Sequence, residues 1–117
     1  MNTKPISITT HAVIDYLYAA MLLTVPGMLG LNKKAKFLYA IDALNILSYS
    51  VSTNYALGIN KSIPFKVHKQ LDVANTEALL LATLYKPIRK EKKALYFNIS
   101  MIAAASVVIA LTNWNDK

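Results

Sequence analysis

The longest unbroken apolar block of this chain runs from Ala94 to Thr112, ALYFNISMIAAASVVIALT, nineteen residues without a charge. At about 1.5 Å per residue, a helix of that length crosses a hydrocarbon core of roughly 30 Å. Apart from Tyr96, its polar residues are Asn98, Ser100, Ser106 and Thr112, which make no charged face. Three weaker apolar stretches lie at about Thr10 to Leu31, Ala35 to Ser52 and Val67 to Tyr85, each holding one or two acidic residues among Ala, Leu, Ile and Tyr. The pattern predicts an all-α fold of four transmembrane helices. A soluble helical bundle is the alternative, but it should show polar stripes, and the last block has none.

The connections are short. Asn32-Lys33-Lys34-Ala35-Lys36 and Pro87-Ile88-Arg89-Lys90-Glu91-Lys92-Lys93 predict tight links between antiparallel neighbours, and Thr53 to Phe65 a longer middle loop. Proline lacks an N–H, so Pro5 and Pro64 are expected just before helices, and Pro26 and Pro87 at helix ends. Gly27 and Gly30 read as a helix end or a close-packing point and not as a phosphate loop, because no strand precedes them and no Lys-Ser or Lys-Thr follows.

The two halves echo each other. His11-Ala-Val-Ile-Asp15 recurs as His68-Lys-Gln-Leu-Asp72, Lys36-Phe-Leu-Tyr39 as Lys93-Ala-Leu-Tyr96, and Thr53-Asn54-Tyr55 as Thr112-Asn113-Trp114. This predicts two repeated helical hairpins, about 5–55 and 62–114, within a single domain over 1–117.

Composition narrows the class. With 117 residues, 55% hydrophobic and 16% charged, the chain has material for one core, and disorder is excluded as its main state. The absence of cysteine excludes a disulfide framework, a thiol nucleophile and thiolate-held metal clusters. A net charge of +7 would suit nucleic acid if the basic residues shared an exposed face, but they gather between apolar segments. That arrangement points to a lipid bilayer and away from nucleic acid. Eight of the thirteen Lys and Arg lie in the two short links and five on the other side (Lys4, Lys61, Lys66, Lys69, Lys117). The expectation is a multi-pass protein of the cell membrane, short basic loops cytoplasmic and both termini outside. No cleavable signal is expected, since the first apolar stretch holds Asp15 and runs into Pro26-Gly27.

Candidate chemistry centres on two pairs. His11 and Asp15, and again His68 and Asp72, are four residues apart, which puts imidazole and carboxylate one turn apart on one helix face. Tyr18 and Asn75 extend those faces, and both pairs are expected near the same membrane interface. One reading is two ordinary helix starts, each with an acid near the positive helix end. Others are a pH-responsive pair, a divalent metal such as Zn²⁺, or two axial haem ligands. Neither H-E-x-x-H nor E-x-x-H is present, so the expectation is no metal, no other cofactor and no enzymatic activity. Glu77, roughly 13 Å further along its helix than His68, is expected near mid-membrane in a polar network with Asp42, Asn45 and Asn98, serving as interhelical glue or as a proton or cation path. Tyr16, Tyr39, Tyr55, Tyr96 and Trp114 lie near predicted helix ends and read as interface anchors.

The middle of the chain, Thr53-Asn54-Tyr55-Ala56-Leu57-Gly58, then Ile63-Pro64-Phe65-Lys66-Val67-His68 and Leu71-Asp72, resembles small bacterial multi-pass membrane proteins related to the SPW-repeat group. His11-Ala-Val-Ile-Asp15-Tyr16 with Pro26-Gly27 is similar to a first copy of that unit. The signature Ser-Pro-Trp is replaced by Val25-Pro26-Gly27 and Tyr85-Lys86-Pro87. The resemblance implies an integral membrane protein with an internal repeat and no assigned activity. The function expected is that of a small structural or accessory membrane protein, with a homo-oligomer or another membrane protein as partner. The alternatives are a proton- or cation-coupled transport component and, more distantly, a haem or metal protein.

Overall fold

The structure, a computed structural model, describes residues 4–115. They form α1 (Ile8–Met28), α2 (Lys33–Val51), α3 (Phe65–Ala82), the short α4 (Lys86–Arg89) and α5 (Lys92–Leu111), with only isolated β-bridges between connecting segments. Lys117, counted above among the outward basic residues, lies outside the described residues.

The all-α fold agrees with the apolar pattern, but four transmembrane helices do not. Among the described residues only α1, with mean hydropathy 1.4, and α5, with 2.0, are long and apolar enough to cross a membrane. The reason lies in the true helix limits. α2 starts on Lys33, Lys34 and Lys36 and carries Asp42, so three of the basic residues assigned to a link are helical. α3 holds Lys66, Lys69, Asp72 and Glu77. Each charge costs a few kcal/mol at the centre of a bilayer, so neither sequence makes an apolar span.

Local chemistry sets the ends. Ser7 caps α1 by accepting the Thr10 N–H, and Asn32 caps α2 by accepting that of Ala35. Pro64 precedes α3, as expected. Pro26 falls at the end of α1, as expected, inside its last turn, and the helix stops at Met28, with Gly30 at φ 69° turning the chain where a side chain would be strained. Pro87 lies at the start of α4, a position that tolerates its missing N–H.

The long helices alternate in direction. At one end the start of α1 meets the end of α5, through Ile6 N–H to the Leu111 carbonyl and Asn113 N–H to the Ile6 carbonyl. The end of α2 and the approach to α3 are tied there in the same manner, Asn54 N–H to the Ile63 carbonyl and Ile63 N–H to that of Ser52. At the opposite end Asn32 joins the two basic links, its backbone N–H donating to Glu91 Oε1 and its side-chain amide to the Pro87 carbonyl. α1 packs along α2 and α3 along α5. The core between them uses Ala19, Ala35, Ala43 and Ala94, which let backbones approach closely, with Leu22, Ile46, Leu79, Phe97 and Met101 filling the space. Tyr39 is wholly buried in this core against Phe97, ring centres 4.8 Å apart, and so is no interface anchor.

Candidate functional site

Alternating helix direction brings the first turns of α1 and α3 to the same end, and their paired residues converge. His11 and His68 are wholly buried, and Asp15 is 6% exposed. His11 Nε2 is 3.2 Å from Asp15 Oδ1, its own helical neighbour, and 2.9 Å from Asp72 Oδ2 on the other helix. His68 Nε2 repeats the arrangement, 3.2 Å from Asp72 Oδ2 and 3.0 Å from Asp15 Oδ2. The sequence places each pair on one helix face. The fold joins the pairs into a tetrad in which every imidazole meets both carboxylates.

Each member is held from outside. His11 Nδ1 is 2.9 Å from Thr112 Oγ1, and His68 Nδ1 is 2.7 Å from Thr53 Oγ1. Both threonines give their single hydroxyl proton to a carbonyl one turn back, Thr112 to Val108 and Thr53 to Tyr49. Each can therefore only accept from its histidine, so both Nδ1 atoms carry hydrogen and both Nε2 atoms face the carboxylates. Tyr49 donates to Asp72 Oδ1 at 2.6 Å, and Tyr55 to Asp15 Oδ2 at 3.0 Å.

An aromatic cover closes the tetrad toward the loops. Phe65 and Trp114 rings meet His11 edge-on with centres 5.6 and 4.8 Å away, and Tyr55 lies 5.4 Å from His68. Lys69 Nζ stands 5.9 Å above the Trp114 ring on the outer side. Tyr55 and Trp114 were expected to anchor in an interface and instead shield this centre.

Electrostatics follow from burial and pairing. Burial pulls the His68 imidazole toward a lower pKa, but the Asp15 and Asp72 carboxylates beside it outweigh this and hold it above the ordinary histidine value. Burial would raise Asp72, but the two histidines and Tyr49 bring it down to about 2. Beside the tetrad a cavity of about 30 Å³, large enough for a water molecule, opens against His11, Asp15, Tyr49 and Asp72.

The second predicted group divides. Asn45 donates to Asn75 Oδ1 at 3.1 Å, and Asn75 donates to Asp42 Oδ2 at 3.3 Å, linking α2 to α3. Asn98 belongs to a separate cluster: it accepts from Tyr39 and donates to the Leu79 carbonyl and to Thr83 Oγ1. Glu77 joins neither, because it stands exposed on α3. The residues that sequence reasoning missed are Thr53, Thr112 and Tyr49. The recurrence of Thr-Asn-aromatic at Thr53 and Thr112 was a signal for the first two, read only as a repeat. Compared with known protein families, curated proteins and solved structures, the chain matches none.

Proposed function

We propose that the chain is a small integral membrane protein with a structural or accessory role, held in the bilayer by α1 and α5. The observation that carries this reading is how little of those apolar helices the protein itself covers: 28% of the most apolar stretch of α1 and 22% of that of α5 are buried. Val13, Leu17, Met21 and Leu23 of α1 and Ile99, Val107 and Leu111 of α5 face outward, a surface suited to lipid. The eight basic residues of the two short links, which lie beside the end of α1 and the start of α5, favour the cytoplasm for that end.

Alkaline carbonate extraction of membranes from cells making the full chain tests the reading. Retention in the pellet, and solubility only with detergent, is expected; release into the supernatant overturns it. For orientation, cysteines placed at Lys34 and Lys90 should be shielded from an impermeant thiol reagent in intact cells, and one at Lys4 labelled. The reverse pattern overturns the orientation alone.

A further inference from the structure

The hydrogen accounting of the tetrad leaves a gap. With both Nδ1 hydrogens committed to Thr53 and Thr112, the Nε2 atoms face carboxylate oxygens, which carry only lone pairs, so each contact requires either a second proton on the imidazole or a cation between the two groups. His68 Nε2 in particular is buried, is aimed into the cluster, and has no aligned hydrogen-bond partner although Asp15 and Asp72 oxygens lie 3.0 and 3.2 Å away. Once the imidazoles give up that second proton, four lone-pair donors face one point in a largely buried site, the electrostatic complement of a cation.

We propose that His11, His68, Asp15 and Asp72 form a binding site for one divalent transition-metal ion of the zinc class. The four ligand atoms, one per residue, all lie within 4.8 Å of one another. Bonds of about 2.0–2.2 Å from Zn²⁺ to imidazole nitrogen and carboxylate oxygen imply tetrahedral edges of roughly 3.3–3.5 Å. The four His-to-Asp separations are 2.9, 3.0, 3.2 and 3.2 Å, those to Asp15 measured from its two different oxygens, while the ligand atoms spread to 4.8 Å at the widest, so seating the ion opens the short edges by a few tenths of an ångström and draws the widest in by about 1 Å. Two carboxylates balance the two positive charges.

The surroundings match what a metal requires of its ligands. Each imidazole donates its remote N–H to a threonine, and each carboxylate accepts from a tyrosine, the outer contacts that fix ring orientation and tautomer. Two imidazoles select zinc and its neighbours over Ca²⁺ and Mg²⁺, which prefer six or more oxygen ligands. The cavity beside His11, Asp15 and Asp72 offers an approach for the ion. A haem does not fit: the two imidazole centres are 5.2 Å apart, and both carboxylates bridge the Nε2 atoms where a porphyrin plane would pass.

This site goes beyond the membrane reading and does not depend on it. The test uses the full chain, purified in detergent, stripped with a chelator and checked for helicity by circular dichroism before titration with Zn²⁺ or Co²⁺. One retained zinc per chain after gel filtration, and the intense visible bands of tetrahedral Co²⁺, are expected. Tyr49→Phe, which leaves all four ligands in place, should lower zinc affinity about ten- to a hundred-fold at unchanged stoichiometry. His68→Gln should abolish retention. A helical wild-type protein that retains no zinc, a weak octahedral Co²⁺ spectrum, or a folded His68→Gln chain binding as tightly as wild type overturns the proposal. Should His68→Gln fail to fold, the wild-type titration and Tyr49→Phe decide alone.

Discussion

Thr53 accepts a hydrogen bond from His68 Nδ1 at 2.7 Å while giving its own proton to the Tyr49 carbonyl at 2.6 Å. Thr112 stands in the same relation to His11 and Val108. A threonine at the end of one helix thus sets the tautomer of a histidine near the start of another, and the two turns are locked together at a buried point.

Thr53→Val keeps the shape of the side chain and removes the acceptor, leaving the His68 Nδ1–H without a partner. The expected loss is about 1–3 kcal/mol of stability, with Thr53→Ser retaining most of it. Thermal unfolding in detergent measures both; equal midpoints for the valine variant and wild type would mean that His68 finds another acceptor.

Gly58 protects the same contact from the loop side. A Cβ at this position would lie 1.8 Å from the Thr53 carbonyl oxygen and 3.1 Å from its carbon. Backbone is the obstacle, so the loop must move and draw Thr53 from His68. Gly58→Ala is expected to destabilise by more than about 1 kcal/mol, and its effect should be less than additive with that of Thr53→Val. A variant as stable as wild type would show that the loop yields without disturbing Thr53.

Asn98 and Glu77 should respond oppositely to loss of polarity. Asn98→Leu strands the wholly buried Tyr39 hydroxyl and breaks the ties to Leu79 and Thr83, at a cost of about 1–3 kcal/mol. Glu77→Gln and Glu77→Leu, on an exposed face, should stay within about 0.5 kcal/mol of wild type. Chemical denaturation of the three variants checks this; a severe Glu77→Leu defect would place that side chain in a buried contact.

Asp42 makes stability depend on pH in a defined direction. Burial raises its carboxyl to about 6, against an ordinary value of 3.8, although the hydrogen bond from Asn75 opposes the rise. The folded chain therefore binds the proton more tightly than the unfolded one, and this group's contribution to stability falls as pH rises from about 4 to about 6. Asp42→Asn still accepts from Asn75 and should flatten that part of the stability profile, leaving the variant more stable than wild type at neutral pH. Melting curves across this range in a non-titrating detergent test it; an unchanged slope would mean that Asp42 is solvated.

The sequence by itself determined the helices and the spacing within them. Ser7 and Asn32 as caps, Pro64 before α3, and His11 with Asp15 or His68 with Asp72 one turn apart depend on bonds and rotations within a few residues. Which stretches remain apolar over their whole length waited on the true helix limits, since α2 takes in Lys33, Lys34 and Lys36 and α3 takes in Lys66. Depth along a helix follows from its rise, but rotation about its axis does not, which is why Glu77 could be placed at a level and not on a face. For the same reason Tyr39 and Tyr96 look alike in the chain, yet one is wholly buried and the other 64% exposed. Only tertiary structure decided that His11 meets Asp72, 61 residues away, because the register and rotation of α1 against α3 are set by packing that no local period records.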